Sequence, residues 1–190
     1  RVKILNDSEL LKLCHTDSTP AKDFIKEINY ARTASKHKFG PKLYSYGFKD
    51  KIGFIHMERL DKSLYQILSE DTLTKTNVES LKKIMKKMWN KGKFIHMDLH
   101  SENVWFTKSG HARLIDFGII VEKRVLNKCS KLNPFVLNRN LDSPVIIDRQ
   151  SAIENSAFEI LDLIESCYQI SKNKKNLLKL KSIFYNTINV

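Results

Sequence analysis

The chain has 190 residues, with 33 Lys or Arg against 21 Asp or Glu and a net charge of +12. At 42% hydrophobic and 28% charged residues it has the make-up of a globular protein that buries a core, which excludes a disordered or collagen-like chain. Its apolar runs fall far short of the roughly 18 residues a membrane span needs; the run ending in Phe117–Val121, for instance, is broken by Asp116.

The charge favours anionic partners without choosing among them, and the lysine pairs Lys82-Lys83 and Lys86-Lys87 read as a solvated helix face. Cys14, Cys129 and Cys167 are odd in number and widely spaced, so neither a zinc site nor a disulfide framework is expected. With no basic-then-apolar leader in view, the expectation is an intracellular, most simply cytoplasmic, protein. The first residue is Arg1, so further sequence is expected upstream.

In chain order, Arg1–Leu5 reads as a short strand, followed by a loop with turn chemistry at Asn6-Asp7-Ser8 and Thr16–Pro20. Lys22–Ser35 has Phe24, Ile28 and Ala31 at helical spacing. Lys42–Phe48 and Ile52–Met57 read as strands joined by the polar turn Lys49-Asp50-Lys51. From Leu60 the pattern turns helical, with a short piece at Ser63–Leu68 and a longer one at Thr76–Lys91. The longer helix has Thr76 and Glu79 in capping-box spacing and an apolar stripe of Val78, Leu81, Met85, Met88 and Trp89. Phe94–Met97 is a very short strand, and Asn103–Phe106 and Ala112–Ile115 form a hairpin through Lys108-Ser109-Gly110. Leu126–Gln150 reads as irregular, and helices are expected over Ile153–Gln169 and Lys174–Ile188.

The chemistry concentrates in His96-Met97-Asp98-Leu99-His100-Ser101-Glu102-Asn103 and, after the hairpin, Asp116-Phe117-Gly118. The hairpin returns Asp116 to the neighbourhood of Asn103, and Asp98 lies on the loop leading in. Two carboxylates and an amide therefore converge. Hard oxygens of this kind suit Mg²⁺, with one carboxylate left to act as base toward a hydroxyl. Gly118 is expected to supply a sharp turn beside Asp116.

These two segments resemble the catalytic-loop signature H-R-D-L-x-x-x-N and the metal-binding signature D-F-G of the protein-kinase-like superfamily, with Met97 in place of the Arg. The resemblance implies an α+β, two-lobed fold: a small, partial β-rich N-lobe over residues 1–58 in strand–helix–strand–strand order, and a short, mainly helical C-lobe over 59–190. It implies ATP and Mg²⁺ as cofactors, with Asn103 and Asp116 as metal ligands and Asp98 as the base. Lys3 looks like the strand lysine that orients the α/β-phosphates, and Glu27 like its helix partner, with Glu9 and Asp23 as competitors. Met57, Glu58 and Leu60 would border the adenine, and His96 would pack beneath the loop.

The sequence also departs from the family. No glycine-rich loop is in view before Lys3, so it lies upstream of Arg1 or the phosphates are covered another way; Met97 removes the reader of a phosphorylated activation loop, and no A-P-E motif follows the D-F-G. The resemblance is therefore to compact, atypical kinases. The leading expectation is a Ser/Thr protein kinase acting on protein substrates, with room for a protein activator. His100, more typical of aminoglycoside- and choline-type kinases, supports a small-molecule kinase as the alternative; a pseudokinase or regulatory binding module is the third. A nucleic-acid partner ranks last, because the charge is the only feature that points to it.

Overall fold

The computed structural model describes residues 1–15, 21–92, 94–96, 98–122, 135–137, 145–147 and 178. They form an α+β structure. A four-stranded sheet is built from β1 (Val2–Ile4), β2 (Glu9–His15), β3 (Leu43–Lys49) and β4 (Ile52–Glu58), in the order β1-β2-β4-β3 and antiparallel throughout. Helix α1 (Ala21–Lys36) connects β2 to β3. The first unit therefore runs strand–strand–helix–strand–strand, one strand more than expected. The additional strand is β2, where a loop was predicted. Glu-Leu-Leu-Lys-Leu-Cys-His does not alternate cleanly, because β2 is an inner strand, bonded on both edges and half-buried over Glu9–Cys14.

Helix α1 packs on the sheet through Phe24, Ile28 and Ile55, all buried. A Cβ on Gly53 would stand 2.4 Å from the Phe24 ring, so only glycine lets α1 approach β4 this closely. The β3–β4 turn has Asp50 and Lys51 at φ 49° and 62°, the left-handed pair of a tight hairpin connection.

Beyond the sheet come β5 (Lys62–Ser63), α2 (Leu64–Ser69), α3 (Lys75–Lys87), a π-helical turn (Met88–Gly92), β6 (Phe94–Ile95), β7 (Val104–Phe106), β8 (Ala112–Leu114) and β9 (Val121–Glu122). Ser63 and Gln66 cap α2 reciprocally, and Thr74 and Asn77 do the same for α3. The predicted Thr76–Glu79 box is thus displaced by one that starts a residue before the helix. The α3 face of Leu81, Ile84 and Met85 joins Leu64, Leu68, Leu114 and Phe117 in a core that also takes Ala31, Ala34 and Phe39 from α1 and the residues after it. One apolar cluster thus fastens the helix behind the sheet to the β7–β8 hairpin.

Within the stretch expected to be irregular, β10 (Phe135–Leu137) pairs antiparallel with β11 (Val145–Ile147). Met97, the Thr16–Pro20 turn and the helices expected over Ile153–Gln169 and Lys174–Ile188 lie outside the described residues, apart from Leu178, which is helical and exposed. No helix among the described residues is long and apolar enough to cross a membrane.

Candidate functional site

In an antiparallel pair, residues directly opposite share a face of the sheet. Val2 lies opposite Lys12 and Lys3 opposite Leu11. Lys12 therefore points toward α1, and Lys3 points away from it. The Lys12 ammonium lies 2.5 Å from Glu27 Oε1 and 3.6 Å from Asp116 Oδ1. The lysine that meets Glu27 is therefore Lys12, and Lys3, expected in that pair, is exposed on β1. The predicted helix partner, Glu27, is the residue that makes the pair. Of its competitors, Glu9 bonds His56 at 2.8 Å and Asp23 is exposed. Burial pushes the Lys12 pKa down, but the Glu27 and Asp116 carboxylates outweigh it and the net shift is upward. Lys12 is thus held as a cation between two acids.

Beside this charged group opens a cavity of about 290 Å³. Its roof comes from the sheet, with Val2, Leu10, Ile55 and Met57, and its floor from Trp105, Ile115 and Phe117. Met57, Glu58 and Leu60, the residues that the resemblance would set around an adenine, all line it. The Glu58 carboxylate is engaged with the Lys42 N–H at 3.1 Å and faces the Arg113 guanidinium at 3.8 Å. Trp105 was not singled out from the sequence; it sits on β7 and donates its indole N–H to the Glu102 carbonyl at 2.6 Å.

The segment carrying Asp98 and the one carrying Asp116 are tied together by the backbone. Asn103 is buried and donates its side-chain amide to the Asp98 carbonyl at 2.8 Å and to Asp98 Oδ2 at 3.3 Å. The Ile115 N–H donates to the Asn103 carbonyl at 3.0 Å, one residue before Asp116. Beneath them His96, with none of its surface exposed, donates Nε2–H to the Ile115 carbonyl at 2.8 Å and packs its ring on Phe117. That bond leaves Nδ1 as a bare acceptor with no partner among the described residues. Burial lowers the His96 pKa, against the pull of the Ile115 carbonyl, Asp98 and Asp116, so the ring is held neutral.

Asp116 has φ 60°, a left-handed conformation that a non-glycine residue adopts at some cost. The sharp turn expected of Gly118 is thus made by Asp116 itself. His100 accepts the Glu102 N–H at Nδ1 and turns Nε2 toward Asp98 Oδ2 at 3.9 Å.

The structure therefore joins Asn103 to Asp98 by hydrogen bonds and sets Glu27 and Asp116 against Lys12, with Lys3 exposed on β1. Lys12 carried a signal of its own: Leu-Lys-Leu repeats the apolar–Lys–apolar pattern of Val-Lys-Ile. Among the described residues, no group of three His, Cys, Asp or Glu side chains is arranged to hold a metal. No protein-family model matches the chain, and no curated protein matches it either.

Proposed function

We propose that the chain is an ATP- and Mg²⁺-dependent phosphotransferase with a two-lobed, protein-kinase-like architecture, acting as a Ser/Thr protein kinase. The observation that carries this reading is Lys12 between Glu27 and Asp116 at the polar end of an apolar cavity. An arrangement of this kind suits a nucleotide, with the base among apolar walls and the phosphates at the charged end. The cavity volume of about 290 Å³ suits the base, with the phosphates reaching out to Lys12.

Asn103 and Asp116 would hold the magnesium. One amide and one carboxylate are hard donors, and they leave coordination positions for phosphate oxygens and water, which is how Mg²⁺ is commonly held. Bound there, the ion would neutralise charge on the phosphates. Lys12 would orient the α/β-phosphates, kept in place by Glu27. Asp98, fixed by the Asn103 amide, would align the acceptor hydroxyl and take its proton as the γ-phosphoryl group passes to that oxygen. His96 would set the height of the Ile115–Phe117 segment through its bond to the Ile115 carbonyl.

A second reading, phosphorylation of a small molecule, is favoured by His100 facing Asp98. The test is Mg²⁺ with γ-labelled ATP, offered protein acceptors and, separately, amino sugars and choline. Label on protein Ser or Thr, lost in Asp98→Asn, is the expected result. Label on the small acceptors alone selects the second reading. Nucleotide binding without transfer to any acceptor makes the chain a binding module and ends the enzymatic proposal.

A further inference from the structure

Away from the cleft, α3 and the β7–β8 turn enclose a groove of about 620 Å³. Lys75, Lys82, Lys83 and Lys86 line it, with Glu79 and His111. The lysines share one face of α3, since positions three, four, seven and eight apart are neighbours on a helix. None of the four makes an ion pair among the described residues. The walls are fixed: the Asn77 amide donates to the Gly110 carbonyl at 3.2 Å, and the Ala112 N–H donates to Ser80 Oγ at 2.7 Å. Gly110 turns the chain at φ 80°, and a Cβ there would press on Asn77 and Thr76.

We propose that this groove is a docking site for an acidic segment of a partner protein. Among the described residues that line this open surface, four ammonium groups stand against one carboxylate, so charge complementarity favours an anion. The cation crowding extends to the next turn of the helix. Burial lowers the Lys87 pKa, and Lys83, Lys38 and Arg113 lower it further.

The spacing fits an extended peptide. Lys82 and Lys86 are separated by about 6 Å along the helix axis, and alternate residues of an extended chain by about 6.6 Å. Acidic side chains two positions apart can therefore meet Lys82 and Lys86. Single-stranded nucleic acid fits less well, because it is bound by stacking on aromatic rings and Arg, and among the described residues no Phe, Tyr, Trp or Arg lines the groove.

The proposal is independent of phosphotransfer, and its test reads binding alone. A fluorescein-labelled Glu-Ala repeat peptide is titrated with the full chain and followed by anisotropy. The triple variant Lys82→Glu, Lys83→Glu, Lys86→Glu is expected to weaken binding at least about tenfold, since three exposed charges are reversed. The control triple Lys22→Glu, Lys26→Glu, Lys36→Glu makes the same change in net charge on exposed positions of α1 and is expected to shift binding less than about twofold. If the reversed-charge protein does not fold by circular dichroism, Lys82→Gln, Lys83→Gln, Lys86→Gln takes its place. Equal losses in both triples, or no binding of the peptide, overturn the proposal. So does tighter, equally α3-dependent binding of a single-stranded oligonucleotide of the same charge.

Discussion

The sheet side of the cleft and the loop side reach Asp116 by different forces. On the sheet side, Lys12 and Glu27 come from separate elements and are joined only through their side chains, both partly withdrawn from water. On the loop side, Asp98, Asn103 and Asp116 are joined through backbone groups, with a buried neutral histidine beneath them. The first arrangement is a charge balance and is sensitive to the loss of either partner. The second is a hydrogen-bonded frame whose acids remain about half exposed, at 40% for Asp98 and 52% for Asp116. The difference teaches where stability and chemistry separate: substitutions on the loop acids should cost turnover more than folding, and those on the sheet side both.

The largest expected effect is therefore on turnover. Asp98→Asn keeps the shape of the side chain but removes the proposed base, and should lower the rate of the proposed phosphoryl transfer by about 10²–10⁴-fold. Its urea unfolding midpoint should stay near that of the parent chain. A large loss of stability with intact turnover would invert the comparison.

Next is Gly53→Ala, which pushes a methyl into the Phe24 ring and tilts α1, the helix that carries Glu27. Overpacking of this kind costs about 1–3 kcal/mol, read as a lowered midpoint in urea. Glu27→Gln leaves Lys12 a partly buried cation short of one partner. The expected loss is about 1–2 kcal/mol, between the values for exposed and fully buried pairs. A double-mutant cycle with Lys12→Met should return a favourable coupling; zero coupling would mean the pair is not formed in solution.

The smallest effect concerns His96. Because its folded pKa is lowered by burial, the unfolded chain takes up the proton first as the solution is acidified. The stability contributed by the neutral ring is complete above the ordinary histidine value of about 6.5. It declines as pH falls from there toward the lower folded value, by at most about 1.4 kcal/mol per pH unit. His96→Asn should be less stable overall but flatter over that window in pH-dependent urea melts.

The loop side was legible in the sequence because its chemistry is local. Asp98, Asn103 and Asp116 fall within nineteen residues, and one short hairpin closes the distance between them. The strands Val2–Ile4, Leu43–Lys49 and Ile52–Glu58 and the helix Ala21–Lys36 were legible from their periodicity. The sheet side was harder, because which lysine meets Glu27 is decided by register across β1 and β2. Val-Lys-Ile and Leu-Lys-Leu carry the same local signal, and a shift of one residue exchanges the faces. The strand β2 was hidden for a related reason: an inner strand need not alternate. The backbone strain at Asp116 was equally out of reach, since Gly118 nearby was the residue suited to a turn.

The central claim is that Lys12, and not Lys3, completes a magnesium-nucleotide site with Glu27 and Asp116. Thermal unfolding with and without Mg-ATP tests it most directly, because a ligand bound only by the folded chain raises the melting midpoint. The account predicts an increase for the parent chain and for Lys3→Met, and none for Lys12→Met. A shift that survives in Lys12→Met and disappears in Lys3→Met would contradict it.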